Sequence, residues 1–199
     1  MDYKFKTEPY EHQLKALGAS HNKENFAFFM EMGTGKSKVL IDNIAMLHDK
    51  GKINSALIVA PKGVYRNWER QEIPTHMPEH VDYSVLVWNP SSTSFLKEYA
   101  KFLKNEDKLK IFLINIDAFS TSRGTEIAKR FLVATQCMMA IDESTTVKTP
   151  TAKRTKTICK MRTLAKYRRI LTGSPVTKSP LDLYTQCYFL DPELLGFAS

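Results

Sequence analysis

Cysteine is scarce in this chain, with Cys137, Cys159 and Cys187 the only three among 199 residues. Their wide spacing fits neither a zinc ligand set nor a disulfide framework, which leaves them as small buried side chains in a reducing compartment. No apolar run approaches the ~20 residues needed to cross a bilayer as a helix, and the N-terminus has no charged-then-apolar leader. These absences predict a soluble, intracellular protein with no membrane partner. Internal repeats and low-complexity linkers are missing too, and apolar residues are spread along the whole chain at 43%, which excludes extended disorder. Negative charge is missing from one long stretch. No acidic residue lies between Glu143 and Asp182, where Lys148, Lys153, Arg154, Lys156, Lys160, Arg162, Lys166, Arg168, Arg169 and Lys178 all fall. The net charge of +8 favours a polyanionic partner such as nucleic acid, although a basic run is as readily a solvated face.

What is present is a regular alternation. Apolar runs at Phe26–Met30, Ser55–Ala60, Tyr83–Trp88, Lys110–Asn115, Cys137–Ile141 and Arg169–Thr172 read as strands. Between and around them, Tyr10–Leu17, Lys38–Leu47, Val64–Ile73, Ser94–Leu103, Glu126–Ala134, Thr151–Ala165 and Ser179–Leu190 read as helices. Several strands are unbroken apolar runs rich in β-branched residues, the mark of strands covered on both faces. The pattern predicts an α/β fold with a mainly parallel sheet and helices on both faces. Ligands of such folds sit beyond the carboxyl ends of the strands. The chemistry-bearing segments Glu31–Ser37, Pro61–Lys62, Asn115, Asp142–Glu143 and Thr172–Ser174 all follow strand ends.

The strongest of these is Glu31-Met32-Gly33-Thr34-Gly35-Lys36-Ser37, a glycine loop between a strand and a helix. The glycines let the backbone curl so that its N–H groups cradle a polyphosphate, and the helix N-terminus adds partial positive charge. Lys36 would reach the outer phosphates and the Ser37 hydroxyl would ligate Mg²⁺. The general phosphate-loop pattern has glycine six residues before the lysine, and that position is Met30. The second signal is Asp142-Glu143, two carboxylates delivered to the sheet edge. Asp142 can hold Mg²⁺ opposite Ser37, and Glu143 can orient and deprotonate a water.

Gln13, the loop Glu31–Ser37, Ala60-Pro-Lys-Gly-Val-Tyr-Arg-Asn-Trp-Glu69, Asp142-Glu-Ser-Thr145 and Leu171-Thr-Gly-Ser-Pro175 occur in the order seen in superfamily-two helicases and translocases. From Tyr10 to Pro192 the chain most resembles the Swi/Snf-like branch. The resemblance implies a three-layer RecA-like P-loop domain spanning 1–199, an N-terminal motor lobe. It also implies ATP and Mg²⁺ as cofactors and double-stranded DNA as partner. Gln13, with Tyr10 nearby, would read the adenine, and Met32, Gly33, Thr34, Gly35, Lys36 and Ser37 would hold the phosphates. Lys36, Asp142 and Glu143 would be catalytic, with Ser37 and Asp142 on the metal. Lys62, Asn67, Asn115 and Lys148 would contact nucleic acid, and Trp68 would anchor its helix in the core. Thr172 and Ser174 would couple hydrolysis to strand contact.

Two departures stand out. Thr145 replaces the histidine of this branch, and Ser37 replaces the more usual threonine. The resemblance also implies a second RecA-like lobe, absent here, whose arginines supply on the order of 10³–10⁵ in rate. The lobe alone would then hydrolyse poorly. Its short loops point to a prokaryotic or viral member and a cytoplasmic location, nuclear if eukaryotic. A self-sufficient P-loop NTPase or kinase, and a non-catalytic nucleic-acid-binding module, stay open as alternatives.

Overall fold

The six apolar runs form six parallel strands of one sheet, in the order β1-β6-β5-β2-β4-β3. They are β1 (Asn25–Phe29), β2 (Ser55–Ala60), β3 (Tyr83–Val87), β4 (Leu109–Asn115), β5 (Cys137–Asp142) and β6 (Tyr167–Thr172). The computed structural model describes residues 3–177 and 181–196. Lys178 and the expected start of the last helix at Ser179 lie outside the described residues.

The central strands β2, β4 and β5 are buried at every position, whereas β1 and β3 on the rims mix buried and partly exposed residues. This explains why the central strands read as continuous apolar runs. Period-two alternation divides their side chains between two cores. Leu57, Val59, Phe112, Ile114, Met139 and Ile141 face one of them, where α5 (Phe95–Leu103), α6 (Ser122–Ala134), α7 (Lys153–Met161) and α8 (Asp182–Leu190) pack. Ala56, Ile58, Ile111, Leu113, Met138 and Ala140 face the other, under α1 (Glu11–Ser20) and α2 (Lys36–Asp49). The helical segment after β2 covers the same face through Tyr65, Trp68 and Ile73. Three layers result, as expected.

Local departures from the sequence reading have local causes. The helix expected at Val64–Ile73 is α3 (Tyr65–Asn67), a π-turn at Trp68–Glu72 and α4 (Ile73–His76). The π-turn ends just before Pro74, which has no N–H to donate four residues back. The basic helix is shorter than expected, and a 3₁₀ turn at Arg162–Leu164 leads the chain into β6. Of the cysteines only Cys137 is fully buried, with burial pushing its thiol up to about 12.

The basic run needs a larger correction, because two of its cations are part of the interior and the edge of the fold. Arg169 is completely buried. It donates to Asn43 Oδ1, and to the backbone carbonyls of Ser20, Lys23, Glu24 and Arg168. Arg168, half-buried, donates to the carbonyls of Leu190, Arg162 and Ala165. Both are clamps between β6 and neighbouring segments. A further buried pair, Lys38–Asp42 at 2.8 Å, accepts the Tyr3 hydroxyl on Asp42 and fastens the N-terminal segment to α2.

Candidate nucleotide site and strand-end edge

The strand order decides which motifs meet. From one side, the carboxyl edge presents the glycine loop after β1, the Gly173 turn after β6, the carboxylates after β5, Pro61–Lys62 after β2 and Asn115 at the end of β4. Neighbouring strands are ~4.8 Å apart, so loop and carboxylates stand about 10 Å from each other. That gap suits a triphosphate and a metal between them.

Within the loop, Gly33 and Gly35 adopt φ of 76° and 80°, the left-handed region open to glycine. Gly35 has a second constraint. A Cβ there would lie 2.3 Å from Gln13 Nε2. That close approach exists because Gln13 Nε2 donates to Thr34 O at 3.0 Å, while its Oε1 accepts from Tyr10 N at 3.0 Å. His12 Nε2 also reaches Thr34 O, at 2.9 Å. Helix α1 is thus tied to the loop twice through one carbonyl. Tyr10, 70% exposed, stacks on His12 with centroids 5.8 Å apart and offers a flat aromatic face beside the loop. Lys36 Nζ bonds the carbonyls of Met30 at 2.9 Å and Glu31 at 3.0 Å, inside the curl of the loop. Met32 stands 84% exposed, and Ser37 occupies the first turn of α2.

Asp142 is held on both oxygens. Trp68 Nε1 donates to Oδ2 at 3.0 Å, and the Glu143 N–H donates to Oδ1 at 3.0 Å. Burial pushes its carboxyl above the ordinary range, and the charge of Glu143 adds to this. The Trp68 bond, the Glu143 N–H and the Lys36 ammonium oppose it. A carboxylate that is costly to charge gains most from a cation. Among the described residues no three His, Cys, Asp or Glu side chains cluster as a metal cage. One carboxylate and one hydroxyl instead make the sparse oxygen set that suits Mg²⁺ bound mainly through phosphates and water. Glu143 has φ of 48°, the one positive φ outside glycine among the described residues. Holding a glutamate there costs ~1–2 kcal/mol.

The carboxylates connect to the next turn through the interior. Ser144 Oγ donates to Gln186 Oε1 at 2.6 Å, and Gln186 Nε2 donates to the carbonyls of Pro175 and Asp182. Both side chains are fully buried. Thr172 Oγ1 accepts from Ser174 N at 3.2 Å, shaping the same turn. Gly173 lies against the glycine loop, since a Cβ on it would sit 3.3 Å from Met32 N. The turn after β6 therefore touches the phosphate loop on one side and the carboxylate turn on the other.

The residues expected on nucleic acid are placed unevenly. Lys62 and Asn67 are exposed beyond β2, Asn67 bonding Glu72 Oε1 at 3.2 Å. Asn115 is buried, and its Oδ1 accepts from Ala118 N to cap the 3₁₀ turn Ile116–Ser120. Asp117 beside it pairs with Arg154 at 3.1 Å. Lys148 bonds Thr177 and lies 3.7 Å from Asp182.

The family model for the SNF2-related domain matches residues 12–199, nearly the whole chain. The chain belongs to this family. Chromatin remodeling factor mit1 of Schizosaccharomyces pombe is 23% identical over 169 residues, covering 84% of this chain and 11% of mit1. A probable ATP-dependent DNA helicase of Arabidopsis thaliana, CHR12, is 28% identical over 186 residues, covering 88% and 15%. Among solved structures, the Sulfolobus solfataricus SWI2/SNF2 ATPase core in complex with dsDNA superposes with a TM-score of 0.75 at 23% identity, over 99% of this chain and 38% of that one. The same organism's core domain gives 0.66 at 26% identity, over 96% and 38%. The chain thus spans a small part of these relatives' length. The RecA-like, mainly parallel fold expected from sequence is the one observed.

Three parts of the site escaped the sequence reading. Trp68 is a core anchor as expected, but its indole N–H also holds Asp142. His12, adjacent to Gln13, shares its acceptor. The Ser144–Gln186 bond joins residues 42 apart and has no sequence signal at all.

Two expected outcomes follow from this geometry. Trp68→Phe removes the donor on Oδ2, so the Asp142 carboxyl moves further up in pH. With Asp142 as the expected Mg²⁺ ligand, whose charged form would meet the cation, the acidic limb of a pH–rate profile should shift to higher pH, and Mg²⁺ affinity in the presence of nucleotide should fall ~10–100-fold. An unshifted profile with unchanged Mg²⁺ titration contradicts this role. The fold itself responds with the opposite sign. The raised Asp142 is favourable below its unfolded value, and that contribution is lost as pH rises through the folded value. For the buried bridge, Ser144→Ala or Gln186→Leu alone strands a partner and costs ~1–3 kcal/mol in urea unfolding. The double variant Ser144→Ala/Gln186→Leu should cost less than the sum of the two singles, because only the Ser144–Gln186 bond is shared, while the Gln186 donors to the Pro175 and Asp182 carbonyls stay lost. Purely additive losses would show that the two side chains do not interact.

Proposed function

We propose that residues 1–199 form the nucleotide-binding lobe of a DNA translocase or helicase, coupling ATP hydrolysis to movement on duplex DNA. The observation that carries this is the single edge on which the loop after β1, the turn after β6 and the carboxylates after β5 stand on adjacent strands. In this reading Tyr10 and Gln13 take the adenine, and the N–H groups of Met32, Gly33, Thr34 and Gly35 take phosphate oxygens. Lys36 leaves its two carbonyl partners for the outer phosphates. Ser37 and Asp142 would hold Mg²⁺, which would supply positive charge beside the phosphates. Glu143 orients a water and accepts its proton, and Thr172 and Ser174 move with the glycine loop they adjoin.

The β2 and β4 half of the edge takes the DNA. Exposed Lys62 and Asn67 meet phosphates, Asn115 shapes the turn that approaches the strand, and Lys148 exchanges its Thr177 and Asp182 contacts for a phosphate. Such contacts are blind to sequence and weaken with salt. The dsDNA named for the Sulfolobus complex supports this partner. A second RecA-like lobe supplies the arginines that speed hydrolysis, and the 38% coverage of the solved cores is consistent with that arrangement. No helix among the described residues is long and apolar enough to cross a membrane. We place the protein with its DNA, in the cytoplasm of a prokaryotic or infected cell or in a eukaryotic nucleus.

The test compares ATP turnover by this chain and by a longer chain carrying a second lobe, each with and without duplex DNA. Slow turnover by the short chain and DNA-stimulated turnover by the long one are expected. Fast, DNA-independent turnover by the short chain would reject the motor reading in favour of a self-sufficient NTPase.

A further inference from the structure

The outer surface between α7 and α8 carries a groove of about 440 Å³, within the ~300–1,000 Å³ typical of ligand clefts. Lys156, Lys160 and Arg162 contribute cations to it, and no acidic side chain lines it. That separates it from two other grooves of the described surface, which carry Glu126 and Asp49 among their lining residues. The acid-free stretch of sequence is therefore not spread evenly over the surface. Part is buried at Arg169 and half-buried at Arg168, and part is neutralised at Arg154 by Asp117. Lys156 and Lys160 remain exposed in the groove.

Its second property is aromatic. Tyr184 and Tyr188 stack with centroids 6.1 Å apart, and the Arg162 guanidinium lies over Tyr188 at 5.1 Å. Tyr184 is 40% exposed. The lining also includes Thr155 and Thr185, both buried, whose Oγ1 atoms have no hydrogen-bond partner among the described residues. Pro150, two residues beyond Lys148 in sequence, also lines the groove.

Cations that track a backbone beside an open aromatic face are the two elements that hold unpaired nucleic acid. We propose that the α7–α8 groove is a binding site for single-stranded nucleic acid, distinct from the duplex-contacting edge. Lys156, Lys160 and Arg162 would lie against phosphates, and a base would stack on Tyr184. A duplex fits this chemistry poorly, because its bases are already stacked on each other. The inference goes beyond the proposed motor role, placing a separated or flanking strand on the outer face of the lobe.

Fluorescence anisotropy tests it, with labelled oligothymidylate and a labelled blunt duplex titrated separately against the chain. Lys156→Glu/Lys160→Glu should weaken oligothymidylate binding at least tenfold and reduce its salt slope by roughly 0.7 per cation lost. Tyr184→Ala should weaken it roughly 5- to 150-fold while leaving the salt slope unchanged. ATP binding and duplex affinity should hold in both variants, which also shows that they are folded. Equal losses on duplex and single strand, or no loss on either, overturn the proposal. So does a loss in the lysine variant that Tyr184→Ala does not share, since any cationic surface would give it. If the wild-type chain binds neither ATP nor duplex yet keeps the single-strand site, the motor reading fails and the groove stands.

Discussion

Glu143→Gln retains ATP and Mg²⁺ but loses hydrolysis by ~10²–10⁴-fold, the usual worth of a positioned general base. The amide keeps the size of the carboxylate and cannot accept the proton. The backbone contacts of this residue are independent of its side chain. Its N–H still donates to Asp142 Oδ1, and its carbonyl still accepts from the Thr146 hydroxyl. The placement of the Asp142 carboxylate and the 3₁₀ turn Ser144–Val147 should therefore survive the change. Burst and steady-state phosphate release, alongside equilibrium binding of a labelled nucleotide, separate the two effects. Turnover within twofold of wild type would remove Glu143 from the role of base. Tighter retention of nucleotide with no turnover is the result the geometry predicts.

Arg169→Met should cost the lobe on the order of 2–5 kcal/mol, at ~1–3 kcal/mol for each buried acceptor stranded, a large part of the 5–15 kcal/mol that typically holds a domain together. Methionine fills much of the volume and removes every donor. Asn43 Oδ1 and the Lys23 carbonyl would then lose the donor, while the Ser20 and Glu24 carbonyls keep the N–H groups of Lys23 and Arg168, and unsatisfied buried acceptors are what make such losses large. Burial draws the guanidinium down to about 10, so it stays charged at neutral pH, and its five acceptors offset the desolvation. The clamp joins β6 to the end of α1, to the turn before β1, and to α2. Its loss should therefore loosen α1, and with it the Gln13 and His12 contacts on Thr34. Urea unfolding followed by circular dichroism measures the first effect and nucleotide affinity at low denaturant the second. A loss below about 1 kcal/mol would show that water replaces the guanidinium in this niche.

The two residues differ in how visible they are in the sequence. Glu143 follows an apolar strand and an aspartate, and its neighbourhood is a strand end wherever the strand lies in the sheet. Arg169 sits in a run of cations, and nothing local distinguishes it from the exposed Lys156 or Lys160. Only the pairing of β6 with β1, Phe26 opposite Arg169 and Phe29 opposite Thr172, carries it inward. The same pairing sets Gly173 against the phosphate loop. Asn115 shows the converse. Its position after a strand is legible, but its carboxamide is spent on Ala118 N, a backbone requirement that spacing does not reveal.

Sequence alone determined the strands and helices, the α/β class, the phosphate loop and the carboxylate pair. Each depends on residues close together in the chain: apolar periodicity, glycines at a turn, a lysine and a hydroxyl opening a helix. Tertiary structure decided the strand order, and through it which motifs are neighbours on the edge. It also decided that Trp68 holds Asp142 across 74 residues, that Ser144 reaches Pro175 through Gln186, and that the basic run divides into a buried clamp, an ion pair and an open groove. The physical reason is the same in each case. A hydrogen bond or a buried charge is defined by what packing brings within about 3 Å, and residues distant in sequence carry no record of that contact.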